Sequence, residues 1–82
     1  MLTNKRQNQN RVNKIILALK QAKINRGITR YQLSKDTGLS DSSISNIEQL
    51  KQNPTLSTLM EMSVSINFDL PKALKENYPD LP

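Results

Sequence analysis

TRYQLSKDTGLSDSSISNIEQL, residues Thr29 to Leu50, is the stretch whose reading decides the fold. It opens with Thr29 and Gln32 in the Thr-x-x-Gln spacing of a capping box, which satisfies the orphan N–H groups at a helix start. That helix has about two turns before Gly38, whose freedom at positive φ suits a tight turn between helices. A second helix restarts at Ser40, a good N-cap, with Asp41 in its first turn where the helix dipole favours an acid. Leu33, Leu39, Ile44 and Ile47 supply the apolar positions, and Ser34 is small enough for a close helix crossing. Two short helices around a glycine turn form a helix-turn-helix. An ordinary αα-hairpin is the plain alternative, but it needs neither Ser34 nor Gly38.

The order Ser34, Gly38, Ile44, Ile47, Glu48 and Asn53-Pro54 resembles the DNA-binding domain of lambda-type repressors and Cro proteins, the xenobiotic-response-element type of regulator. The resemblance runs from about Val12 to Leu74. It implies an all-α, five-helix bundle containing the helix-turn-helix. It says nothing about which operator is bound.

Working outward, Val12, Ile15, Ile16, Leu19 and Ala22 recur at three- and four-residue steps, which predicts an amphipathic helix ending at Gly27. Ile28 leads into the organising stretch as a core residue, and Ile24 falls off the apolar face. On the other side, Lys51 to Pro54 is a loop, because the residue before a proline avoids the helical region. Thr55 caps a helix to about Asn67 with Leu56, Leu59, Met62, Ser63 and Ile66 on one face. Asp69 caps a last helix that tolerates Pro71 in its first turn, with Phe68 stapled onto Ala73 or Leu74. Residues 12–76 are thus one domain. Residues 1–11, polar and without periodicity, are expected to be a flexible basic arm, either lying along DNA or having no role. Residues 77–82 are expected to be a frayed tail.

The composition narrows the function. The 82 residues contain no Cys and no His, which excludes disulfides, Cys or His metal sites, and any Cys or His nucleophile or base. The seven acids are scattered and no Gly-rich phosphate loop appears, so the sequence points to no enzyme, no cofactor and no small-molecule ligand. No apolar run approaches the ~20 residues of a membrane span, and nothing suggests export. The net charge of +5 conceals a division: residues 1–35 hold nine Lys/Arg and no acid, whereas residues 36–82 hold three basic and seven acidic residues, giving +9 and −4. A pole of that strength attracts polyanions.

Carried across by position, the resemblance places the second helix of the pair, about residues 41–50, in the major groove. Asp41, Ser42, Ser43, Ser45 and Asn46 then meet base edges. Asn46 is the strongest reader, since Asn can bond adenine N6 and N7 together. Asp41 serves cytosine N4 or only the helix dipole. Phosphate contacts are expected from Arg30, Gln49, Lys51, Gln52 and Asn53, helped by backbone N–H groups at a helix N-terminus. Relatives pair the Glu at position 48 with a base on the first helix, here Lys23; an exposed Glu48 is the alternative. Three departures stand out. Leu50 replaces the usual Gly or Asn, which predicts a helix running a residue or two further. Thr37 replaces an aliphatic and weakens the core. Asp41 and the serines make direct readout sparse, leaving a share to DNA shape.

The resulting expectation is a sequence-specific transcriptional regulator of repressor type. It would act as a homodimer on double-stranded DNA, in the cytoplasm and nucleoid of a bacterial or phage system. The competing reading, from another class, makes Lys5 to Arg26 a basic amphipathic helix on an anionic membrane or a partner protein. It lacks an aromatic anchor in that helix and strands the apolar partners of Ile44 and Ile47.

Overall fold

The computed structural model describes residues 4–82; the first three residues of the expected arm lie outside the described residues. Five helices follow in order: α1 (Lys5–Asn25), α2 (Arg30–Thr37), α3 (Asp41–Glu48), α4 (Leu56–Ile66) and α5 (Leu70–Asn77). No strand occurs among the described residues, so the fold is all-α.

Every helix starts on a side chain that accepts a backbone N–H: Asn4, Thr29, Ser40, Thr55 and Asp69 in turn. At Thr29 the box is reciprocal, with Gln32 N donating to Oγ1 at 3.1 Å and Gln32 Oε1 accepting from Thr29 N at 2.9 Å. Three helices stop by a common device. Beyond α1, α3 and α4, a residue at positive φ lets the next N–H reach back to a carbonyl in the last turn: Ile28 to Lys23, Lys51 to Asn46, and Phe68 to Ser63. Gly27 and Asn67 take that role at little cost.

At α3 the residue is Leu50, with φ 62. The longer helix expected from a leucine there is not formed, and α3 ends at Glu48. Two backbone bonds hold the turn, Leu50 N to Ile47 O at 3.0 Å and Lys51 N to Asn46 O at 2.9 Å. They offset the ~1–2 kcal/mol that a left-handed conformation costs a residue with a Cβ.

Ile16, Leu19, Leu33, Ile44, Ile47, Met62 and Ile66 form the centre of the core, with Val12, Ala22, Ile28, Leu39, Leu59 and Phe68 packed around it. Ile15, Leu70 and Ala73 close a second cluster between α1 and α5. The apolar face of α1 is therefore spent inside the protein. That removes the reading of α1 as a membrane-surface or partner-binding helix, since Ile15, Ile16 and Leu19 are 3% exposed or less. No helix among the described residues is long and apolar enough to cross a membrane.

Four further expectations are corrected. The segment expected to be a flexible arm is helical from Lys5, because Asn4 and Gln7 form a capping box. The signal was missed because polar contacts rather than an apolar stripe hold these turns. The tail is docked rather than frayed: Arg11 Nη1 lies 2.7 Å from Asp80 Oδ1, and the Tyr78 hydroxyl donates to Asn8 Oδ1 at 2.6 Å. The Arg11 guanidinium also sits over the Tyr78 ring, 4.9 Å from its centroid. Finally, Leu56 is outside the core. With Met60 and Val64 it forms an exposed apolar row along α4 at four-residue steps. Thr37, expected to weaken the core, instead stitches the turn: its hydroxyl donates to Leu33 O at 2.7 Å and accepts from Leu39 N at 3.2 Å.

Candidate nucleic-acid interface

The α2–α3 turn depends on Gly38, at φ 76, and on Ser34, whose hydroxyl donates across the turn to Leu39 O. Ser34 thus does more than leave room. It fixes the angle at which α3 departs from α2. Ile44 and Ile47 then pin α3 to the core, with 0% and 2% of their surfaces exposed. With those two inward, the opposite side of the helix carries Asp41, Ser42, Ser45, Asn46 and Gln49, which the 100° rotation per residue brings onto one face.

Within that face the side chains differ in freedom. Ser40 Oγ accepts from Ser43 N and donates to Ser43 Oγ at 2.8 Å, so Ser43 is engaged in the cap. Ser42 Oγ lies 3.5 Å from Ser40 Oγ. Gln49 donates its amide to Ser45 Oγ at 2.8 Å, coupling those two. Asp41 Oδ1 stands 3.9 Å from Arg30 Nε, an exposed pair that draws the carboxylate toward the start of α2. Asn46 is exposed, and its side-chain amide makes no hydrogen bond among the described residues. It is the one amide on this face with all its donors and acceptors at liberty.

Two backbone features flank α3. At the start of α2 the capping box uses the N–H of Gln32, and Leu33 N bonds Thr29 O, so the Arg30 and Tyr31 amides point outward at the positive end of the helix dipole. Tyr31 is 66% exposed, with Lys35 Nζ 5.0 Å from its ring centroid. Tyr31 joins the residues expected from the sequence, where an aromatic next to Arg30 in an otherwise polar helix start is its signal. On the other side, Lys51 and Gln52 are exposed in the α3–α4 loop. Asn53 is not free: it exchanges two amide hydrogen bonds with Gln9 of α1, at 2.9 and 3.0 Å.

Behind the face, Lys23 Nζ approaches Glu48 Oε2 to 2.7 Å, and both side chains are buried, 7% and 6% exposed. Glu48 Oε2 has no hydrogen-bond partner among the described residues, so charge attraction carries the contact. A point-charge ammonium suits such a contact where a forked guanidinium would not. The pair joins the last turn of α1 to the last turn of α3, fixing α3 from behind. No group of acids placed to hold a metal occurs among the described residues.

A helix-turn-helix family profile matches residues 19–72. It spans the two-helix unit, the loop and α4 entire. No curated protein and no solved structure matches the chain significantly. With well over half of its length matched, the chain belongs to the lambda repressor/Cro-like helix-turn-helix family, whose members are DNA-binding transcription regulators.

Proposed function

We propose that this helix-turn-helix protein is a sequence-specific repressor that binds double-stranded DNA as a homodimer, with the exposed face of α3 in the major groove. The observation that carries the reading is the contrast on α3. Ile44 and Ile47 are sealed in the core while Asn46, on the far side, has an unused amide. Asn46 is the principal base reader, with Ser42 and Asp41 beside it and Ser43 and Ser45 in supporting positions. Asp41 does double duty, since a carboxylate 3.9 Å from Arg30 also holds that guanidinium toward the backbone.

Arg30, the first amides of α2, Gln49, Lys51 and Gln52 hold phosphates on either side of the groove, supplying affinity without sequence information. Asn53 contributes through its position beside α1. The buried Lys23–Glu48 pair acts as a brace, not as a contact. No part of the reading requires catalysis or a cofactor.

Two copies are required because one eight-residue helix presents too few readers for a site. The exposed row Leu56, Met60 and Val64 is the apolar surface available to a second copy. Val64→Glu should then lower the fraction of dimer in sedimentation without changing helix content.

The test of the function is selection from random duplexes followed by sequencing. The expected product is an inverted repeat with half-sites about 10 base pairs apart, centre to centre, or a multiple of that spacing. Enrichment of no sequence would contradict a specific regulator.

A further inference from the structure

Residues 4–18 lie outside the matched family region, yet they are built onto it with care. Gln9 is the joint. Its amide donates to Asn53 Oδ1 and to Asn13 Oδ1 at 2.9 and 2.8 Å, and its oxygen accepts from Asn53 Nδ2 at 3.0 Å. This fixes one face of α1 against the loop that carries Lys51 and Gln52. Arg6 precedes Gln9 by three residues and Lys5 by four, so both sit one turn further out on that side of the helix. Both are exposed and neither forms an ion pair among the described residues.

The placement of Lys5 and Arg6 runs against the helix itself. They are the first two residues of α1, where the dipole repels cations, and no acid stands in that first turn. Asp, Glu or a neutral residue would stabilise the helix better. A local rule broken without compensation inside the molecule points to a ligand outside it. Arg11, by contrast, is compensated within the chain by Asp80. The extension is also held rigidly enough to aim a charge: Asn4 caps it, Gln9 ties it to the loop, and Tyr78 and Asp80 hold its other side.

We infer that the first turn of α1 is a phosphate-binding extension of the DNA interface, with Lys5 and Arg6 gripping the backbone beyond the base pairs read by α3 and Gln9 acting as the positioning residue. The inference rests on the DNA-binding reading and deepens it. The partner is the phosphate backbone of duplex DNA, contacted without regard to sequence. Continuity with the loop at Asn53 and the absence of any acid in residues 1–35 select a polyanion that already lies alongside. The extension thereby raises affinity for all sites and leaves discrimination to Asn46.

The experiment is a salt titration of the full chain on a mixed-sequence duplex of about 20 base pairs, comparing wild type, Lys5→Ala/Arg6→Ala and Lys72→Ala/Lys75→Ala. The last removes two charges from α5 and controls for net charge. The Lys5/Arg6 variant should lose about two from the log–log slope, at roughly 0.9 per phosphate neutralised, while the α5 variant keeps the wild-type slope. Its thermal midpoint should stay level or rise, because two cations leave a helix N-terminus. Gln9→Ala, which keeps both charges but frees the joint, should weaken binding with a smaller change in slope. A wild-type slope for the Lys5/Arg6 variant, or an equal loss in the α5 variant, would overturn the inference while leaving the DNA reading intact. A wild type whose binding is absent or indifferent to salt would bring down both.

Discussion

The two halves of α1 are held in place by different physics. From Ile15 to Lys23 the helix is locked by apolar burial and by one buried ion pair with Glu48. From Lys5 to Arg11 it is largely exposed, and a capping box, an amide exchange with Asn53, a tyrosine hydroxyl and a surface ion pair hold it. The family match begins at Leu19, inside the first kind of region. Burial is costly to disturb and sets the angle of α3. Polar clamps are cheap to disturb, and they place charge where the buried scaffold cannot.

Perturbations of the two halves should therefore differ by several-fold. The largest effect is expected at Lys23→Met, which leaves Glu48 buried without its partner; such losses run about 3–5 kcal/mol. The Lys23→Met/Glu48→Met double variant should cost clearly less than the sum of the singles in urea unfolding, and strict additivity would show that the pair is not coupled. Leu19→Ala, at 1% exposure, should cost about 2–5 kcal/mol by the same measurement. A value below 1 kcal/mol there would erase the distinction between the halves.

Leu50→Gly should act in the opposite direction. It relieves a side chain at φ 62, and the gain should be about 0.5–1 kcal/mol after the extra freedom of glycine in the unfolded chain is counted.

The smallest effect is expected at the surface pair. The Arg11 guanidinium, by its hydrogen bond above all, holds the Asp80 carboxyl below its ordinary 3.8. A carboxyl depressed on folding adds stability above its unfolded value, and that contribution fades as pH falls through the lowered one. Asp80→Asn should accordingly shift the unfolding midpoint slightly at neutral pH and not at all in strong acid. A shift that persists in acid would show that Asp80 does not act through the charge of its carboxylate.

These contrasts explain what could be read in the sequence. Ser34, Gly38, Ile44 and Ile47 were legible because apolar spacing and turn chemistry are local. The five helices follow from such signals and from their caps. The helical start of α1 was not legible, since Asn8 and Gln9 carry no apolar period and their partners Tyr78 and Asn53 lie 70 and 44 residues away in the chain. Leu50 misled because a leucine argues against positive φ, whereas the backbone bonds of Leu50 and Lys51 outweigh its preference. Leu56 stands at the first position of α4, at the edge of the face that carries Leu59 and Ile66, and is exposed there.

On the candidate interface, the sequence could name polar residues on α3 but not their freedom. Only the fold shows that Ser43 is occupied by the cap, Gln49 by Ser45 and Asn53 by Gln9, leaving Asn46 unengaged.

The freedom of Asn46 makes one sharp difference between a residue that reads bases and one that holds the backbone. Asn46→Ala and Arg30→Ala are titrated against a selected duplex and its scrambled counterpart at several salt concentrations. Asn46→Ala should cost about 1–3 kcal/mol on the selected site and leave the scrambled duplex nearly unaffected. Arg30→Ala should weaken both duplexes alike and lower the salt slope by roughly one. Equal weakening of both duplexes by Asn46→Ala would contradict the account, because α3 would then hold the DNA without reading it at its most available residue.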